Sequence, residues 1–383
     1  MTDLTFPPPP PNTEATEKLR GEVRAFLARE LAGMTAQEKA SSWGGRNPAF
    51  SKKMAEQGWI GMTWPKKYGG HERSALERYV VLEEMLAAGA PVGAHWIADR
   101  QSGPSILRFG SEEQRQTLVP RIAKGECFFC IGMSEPDSGS DLAATRTRAV
   151  PVEGGYKVNG TKIWTSGAHV STYMILFCRT GANSDDRHSG VSQFIVDMKT
   201  PGITVRPIYD LSSQHHFNEV VFEDVFLPTS ALLGNEGDGW KQVTGELAYE
   251  RSGPDRFLST FTLLIEGFQM LGNQVDDRAA VALGRIIASL MTLRRMSRSI
   301  AGMLQRGEDP AVHAAVVKEL GTSLEQEMVE VLRLIVDVEP DSSSTNPYVA
   351  VLAHTIMHAP SFSLRGGTRE ILRGMIARGL GLR

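Results

Sequence analysis

Three stretches of this chain carry residue types suited to chemistry. The first is Ser134-Glu135-Pro136-Asp137-Ser138-Gly139-Ser140-Asp141, placed directly after an apolar run. Its hydroxyls, Gly and Pro let a backbone approach a ligand and offer it amides and O–H groups, although a plain polar loop has the same composition. The second, Lys162-Ile163-Trp164-Thr165-Ser166-Gly167-Ala168-His169, sits at a strand end. Its Trp either packs into a core or covers a flat heterocycle with its ring. The third is Glu250-Arg251 in a helical pattern, which by itself reads as a surface ion pair. Cys127 and Cys130 form a C-x-x-C without a second pair. Residues three apart on a strand point to opposite faces, so buried packing is expected rather than metal ligation. The adjacent His215-His216 has the same difficulty in sharing one ion. No Walker loop, HExxH, GxSxG or strand-preceded GxGxxG occurs, which removes the commonest nucleotide and hydrolase readings.

The elements that must hold these stretches change type twice along the chain. Phe6 and the run Pro7 to Pro11 lack amide donors and predict an extended polyproline arm on the surface. Helical spacing follows to about Gly125, as in Leu19, Val23, Phe26 and Leu27, then Leu76, Tyr79, Val80 and Leu82 to Met85. Ser111 with Glu112 and Glu113 marks a capped helix start. From Glu126 seven short runs read as strands: 127–133, 147–152, 156–164, 172–180, 192–198, 203–208 and 219–227. Gly154-Gly155 and Asn159-Gly160 bracket one of them as hairpin signals. After Pro228 the strands stop. Helices are expected over 239–272, 277–305, 309–338, 348–358 and 367–380, with a Pro/Ser/Asn break at 340–347. The fold class predicted is multi-domain α+β: an N-terminal helical domain (1–125), a middle antiparallel β-barrel or sandwich (126–230) and a C-terminal bundle of three or four long helices (231–383), which the family resemblance given below makes a four-helix bundle.

The bulk properties exclude several roles. With 41 Lys+Arg against 44 Asp+Glu the formal charge is −3, which gives no electrostatic case for nucleic acid or an anionic membrane. No apolar run approaches the roughly 18–20 residues that span a bilayer. Met1 to Glu14 lacks the pattern of a signal peptide, and three cysteines are too few for a disulfide framework. A cytoplasmic enzyme is the expectation.

Taken together, and in this order, the motifs resemble those of the acyl-CoA dehydrogenase family. Gly58-Trp59-Ile60-Gly61 through Trp64-Pro65-Lys66-Lys67-Tyr68-Gly69-Gly70 is similar to the family's N-terminal signature. Phe109-Gly110-Ser111-Glu112-Glu113-Gln114, Gly125-Glu126, Phe222 to Pro228, Gly237-Asp238-Gly239-Trp240 and Gly366-Gly367-Thr368-Arg369-Glu370-Ile371 match in turn. The resemblance implies FAD held between an N-terminal helical, a middle β- and a C-terminal bundle domain. It implies that Ile131, Met133 and Ser134 line the flavin ring, that Trp164 shields one face and that Ser166 bonds near its reactive end. Gly139 and Ser140 would lie near flavin and the pantetheine arm of the substrate, and Thr368 and Glu370 near the adenosine or ribityl part.

The reaction implied is α,β-desaturation of an acyl-CoA thioester. A carboxylate removes the α-proton, flavin N5 takes the β-hydride, and hydrogen bonds to the thioester carbonyl stabilise the enolate. Much of the family places the base just before the terminal Gly-Thr turn; here that position is Gly366. A second branch places it on a bundle helix before an arginine, which assigns Glu250 as the base and Arg251 as its electrostatic partner at the substrate. Partial burial should lift Glu250 above the free value of about 4.3. Two family stretches are missing, an Arg-x-x-Phe-Gly and a Gln-x-x-Gly-Gly, and Arg365 stands where an aromatic residue is common. Bacterial members acting on bulky, steroid-derived or aromatic acyl-CoAs share these omissions, and some are mixed tetramers. The partners implied are an acyl-CoA, an electron-transferring flavoprotein as acceptor, and either a homo-oligomer (dimer or tetramer) or a hetero-oligomer. The alternatives are a non-catalytic subunit and a flavin oxidase or monooxygenase on the same fold.

Overall fold

The computed structural model describes residues 4–181, 186–273 and 275–382; the side chains of 246–250 lie outside the described set. Two compact units alternate along the chain. One comprises Met1–Phe50, Arg73–Ala94 and Ala248–Arg383; the other comprises Ser51–Glu72 and His95–Leu247. The composition change at Glu126 therefore marks where strands begin and is not a boundary of either unit.

In the first unit, helix α1 (Glu14–Glu30) begins at a Thr13 capping box and buries Leu19, Val23, Phe26 and Leu27, the stripe its spacing predicts. Helix α2 (Ala36–Ala40) is a single capped turn. Helix α3 (Pro48–Glu56) spans the boundary between the units. Helix α4 (Ala75–Ala87) buries Leu76, Tyr79, Val80 and Met85, but also Glu83 and Glu84. Those two carboxylates are neutralised by Arg20 and Arg24 of α1 and by Arg294.

The second unit holds helices α5 (Gly103–Phe109) and α6 (Glu112–Ala123), the latter opened by the expected Ser111 cap, here closed by Gln114. Its sheet contains β1 (Phe129–Gly132), β2 (Arg148–Val152), β3 (Gly155–Lys162), β4 (Tyr173–Arg179), β5 (Val191–Asp197), β6 (Ile203–Tyr209), β7 (His215–Pro228) and β8 (Leu232–Leu233). The order is β6-β7-β3-β2-β4-β5-β8, with β1 beside β4. Three expectations are corrected here. The sheet is mixed: β1 runs parallel to β4 from Phe129↔Tyr173 to Gly132↔Leu176, and β2 meets β4 parallel at Arg148↔Arg179. Alternating burial looks the same in either direction, so the pattern could not show this. A further strand, β8, follows Pro228. Asn159-Gly160 is not a turn but a bulge inside β3, where the register against β7 shifts between Val158 and Gly160. Gly160 has φ +149°, and a Cβ there would lie 2.5 Å from Thr147 Oγ1, so close approach rather than chain reversal requires glycine.

The helical pattern expected over 239–272 is two helices, α7 (Gly239–Glu250) and α8 (Phe261–Leu271). Gly253-Pro254 ends the first, because Pro lacks the amide that would continue it, and 254–256 form a 3₁₀ turn. Helices α9 (Asp277–Gln305), α10 (Ala311–Ile335), α11 (Pro347–His358) and α12 (Arg369–Gly379) follow close to their expected limits. Helix α10 packs on α9 and α12, and α8 packs on α11. Gly321 sits where α10 crosses the 3₁₀ turn, and a Cβ would come within 2.1 Å of Arg256 O. Neither backbone can yield, so Gly321→Ala is expected to cost about 1–3 kcal/mol, read as a lower urea midpoint at unchanged m-value.

The proline arm is tied down. Ser299 Oγ donates to Pro7 O (2.6 Å) and Arg298 to Pro10 O (2.8 Å), while Phe6 meets His313 edge-on at 4.9 Å. Pro10 lies against α9 at Gly302, where a Cβ would be 2.8 Å from its ring.

Candidate functional site

The end of β1 and the end of β3 bring the first two sequence stretches together. Ile163 N donates to Ser134 O at 2.9 Å. Beneath this junction the wholly buried Lys162 ammonium donates to Met133 O (2.9 Å), Glu135 Oε1 (2.8 Å) and Thr145 Oγ1 (3.1 Å). Glu135 also accepts from the Thr145 hydroxyl and from the amides of Arg146 and Thr147. Burial opposes ionisation of Glu135, but the Lys162 charge and these donors outweigh it and hold its pKa down to about 2. Sequence reasoning gave no role to this pair. A signal existed: Lys162 falls on the same alternation as the buried Tyr156 and Val158, an inward position a charge cannot hold alone.

Above the pair stand the ligand-facing candidates. Ile131, Met133, Ser134 and Ser166 are half-buried. Trp164 adopts φ +59°, unusual for a bulky residue, and leaves 57% of its surface exposed, with Phe217 edge-on at 5.9 Å. Next to it Thr165 is buried with no hydrogen-bond partner for Oγ1. An exposed indole, the half-buried apolar side chains of Ile131 and Met133, two half-buried serines and one unsatisfied hydroxyl fit a flat heterocycle with apolar faces and a polar edge, as in FAD. Gly139 and Ser140 are exposed farther along the loop; nothing lies within 4 Å of a Cβ built on Gly139. Asp137 and Asp141 of that loop pair with Arg146 (2.8 Å) and Arg187 (2.6 Å).

The remaining candidates belong to the other unit. Glu250 is the last residue of α7, and its side chain lies outside the described residues. Arg251 is buried; its Nε donates to Gly366 O at 2.9 Å and its Nη1 approaches Met375 Sδ at 3.0 Å. Lys318 Nζ, buried on α10, donates to Gly367 O at 2.6 Å. Two buried cations thus hold the carbonyls of the terminal glycine turn, where φ is +66° and +98°. Thr368 stands at the N-cap position of α12, and the Glu370 amide, with the Thr368 hydroxyl, holds the exposed Glu370 carboxyl below its usual range. Arg365 lies between the Trp43 and Phe362 rings, at 4.5 and 4.7 Å, and bonds Glu325 (2.6 Å) and Ser259 Oγ (2.8 Å). It supplies a cation to the wholly buried Glu325. Sequence reasoning missed Lys318 and Glu325, because a charge inside a 25-residue helix resembles any surface charge until the crossing is known.

Cys127, Cys130 and Cys178 are buried free thiols, and burial pushes Cys130 up to about 12. Among the described residues no group of three or more His, Cys, Asp or Glu could hold a metal ion, and no helix is long and apolar enough to cross a membrane.

Residues 13–126 match the acyl-CoA dehydrogenase N-terminal domain and 130–225 its middle domain. The acyl-CoA dehydrogenase FadE29 of Mycobacterium tuberculosis is 32% identical over 95% of this chain and 96% of its own. Of FadE34 from the same organism, 31% identical, the chain spans about half the length (48%). Among solved structures, a Tcur3481-Tcur3483 steroid ACAD superposes with TM-score 0.86 at 28% identity, covering 97% of this chain and 99% of the other. The ChsE4-ChsE5 complex from Mycobacterium tuberculosis gives TM-score 0.83 at 29%, with the same coverage. The chain belongs to the acyl-CoA dehydrogenase family. It is accordingly an oxidoreductase of the class that acts on CH–CH groups.

Proposed function

We propose that this chain is a cytoplasmic, FAD-dependent dehydrogenase that introduces an α,β double bond into a bulky acyl-CoA thioester of the steroid-derived kind. The domains proposed are 1–125, 126–230 and 231–383. The observation that carries the reading is the Ser134–Trp164 junction: a strained, uncovered indole fastened beside two hydroxyls by the Ile163 amide. FAD supplies two-electron oxidation when bound. Everything else is done by side chains of this chain. Ile131 and Met133 exclude water, Trp164 covers one ring face, and the Ser134 and Ser166 hydroxyls orient the polar edge. Gly139 and Ser140 leave room for the pantetheine arm; Thr368 and Glu370 attend the adenosine or ribityl part. Glu250 takes the α-proton and holds it, with Arg251 as its electrostatic partner.

The steroid neighbour supports the substrate class, and the two-component ChsE4-ChsE5 structure supports assembly with a second, related subunit. A homodimer or homotetramer is the alternative arrangement. An electron-transferring flavoprotein is the proposed acceptor. The test is anaerobic bleaching of the bound flavin by short, branched, aromatic and steroidal acyl-CoAs. The expected result is rapid bleaching by a steroidal thioester and little by the short ones. Protein that purifies colourless and releases no FAD on denaturation would refute the reading. Anaerobic bleaching by a thioester, followed in air by rapid reoxidation of the flavin with consumption of oxygen, would assign an oxidase.

A further inference from the structure

Trp164 keeps a disfavoured backbone conformation, and only the surroundings can impose it. The residue before it is fixed by Ile163 N donating to Ser134 O. The residue after it is fixed from β7. Thr165 N donates to Asn218 O at 3.0 Å, and Asn218 Nδ2 donates back to Thr165 O at 2.9 Å. Gly167 N reaches His216 O at 3.0 Å, so the start of β7 is a template along which the 164–167 turn is laid.

Asn218 is wholly buried and its amide is used at both ends. Oδ1 meets His215 Nε2 at 2.7 Å and His169 Nδ1 at 3.2 Å, and the two imidazoles stack with centroids 3.8 Å apart and planes 22° from parallel. Because Nδ2 is the donor to Thr165 O, Oδ1 faces the rings, and both ring nitrogens that reach it carry hydrogen. The Thr165 carbonyl, which can only accept, therefore selects the amide orientation, and the two rings match it as donors to Oδ1. His215-His216, which looked at most like a metal pair in the sequence, has a different use: one ring braces Asn218 and one carbonyl receives Gly167.

We infer that Asn218, braced by the stacked His169–His215 pair, is a positioning residue that holds Trp164 and Ser166 in place for the flavin. This rests on the flavin reading above. Asparagine suits the place because it combines an acceptor for the two rings with a donor for the Thr165 carbonyl. Aspartate would keep the shape and the histidine contacts, lose the donor, and set an anionic oxygen against that carbonyl.

The test uses the full chain with Asn218→Asp, and His215→Leu as a gentler variant. In flavin-free protein, amide hydrogen exchange at Thr165 and Gly167 should quicken at least about tenfold in Asn218→Asp, with far-UV circular dichroism unchanged. In loaded protein the FAD dissociation constant should rise at least about tenfold, which corresponds to about 1.4 kcal/mol. The visible circular dichroism of the bound flavin should change shape, a signature that loss of general stability does not produce. His215→Leu should shift all three readings in the same direction, by less. Unchanged exchange at Thr165 in Asn218→Asp overturns the positioning role. Faster exchange with unchanged FAD affinity and dichroism overturns the link from Asn218 to the flavin. If wild-type protein takes up no FAD, the dehydrogenase reading itself fails, while the exchange comparison still decides whether Asn218 holds the turn.

Discussion

Glu250→Gln is expected to leave FAD bound while flavin reduction by an acyl-CoA thioester falls by about 10²–10⁴ or more, the weight of a positioned general base. Glutamine keeps the size and most of the polarity of the side chain but has no electron pair basic enough to take a proton from carbon. Binding of cofactor and thioester should therefore survive, and only the chemical step should slow. The terminal turn cannot substitute, since residue 366 is glycine and its carbonyl already accepts from Arg251. Stopped-flow reduction under anaerobic conditions reads the effect directly. Wild-type-like reduction in Glu250→Gln would refute the assignment. Arg251→Ala offers a contrast: it strips the Gly366 carbonyl of a donor, so the C-terminal turn should loosen as well as the rate decline.

The second large effect lies at Lys162. Lys162→Met removes one partner of a wholly buried ion pair and leaves the Glu135 carboxylate without its cation. Such one-sided losses cost about 3–5 kcal/mol, so the urea midpoint should drop markedly and FAD uptake should fail where the Met133–Ser134 turn is no longer held. Replacing both partners, as Lys162→Met with Glu135→Gln, removes the unpaired charge and should recover part of the loss. The pair also has a pH signature. The folded pKa of Glu135, about 2, lies below that of an unfolded glutamate, so the unfolded chain binds the proton first as pH falls. Its contribution is complete above about pH 5 and is lost progressively between there and about pH 2. Denaturation at stepped pH should show a slope over that window that Glu135→Gln makes shallower, the rest belonging to other carboxylates held low by arginines, such as Glu83 and Glu319. Equal stability of wild type and Lys162→Met at neutral pH would disprove the argument.

Features set by neighbours in sequence are legible in the sequence. The Ser111 cap, the α1 stripe, the limits of α9 and the seven strand cores follow from hydrogen-bond caps and periodicity within a few residues. Gly253-Pro254 was visible, yet apolar spacing on both sides of it suggested one helix, and only the missing proline amide divides 239–272. Strand direction, the bulge at Gly160 and the inward charges Glu83, Glu84, Lys318 and Glu325 were not legible. Each depends on what lies across the gap rather than along the chain.

The order of residue types by itself determined the family, the two polar segments that follow β1 and β3 and the absence of a carboxylate at residue 366, because these are covalent facts carried by spacing. Tertiary structure decided how that edge is held. Lys162 meets Glu135 across 27 positions, and Asn218 meets Thr165 across 53. Charge and hydrogen-bonding capacity are written in each residue, but a buried ammonium or amide is stable only beside its complement, and folding chooses the complement.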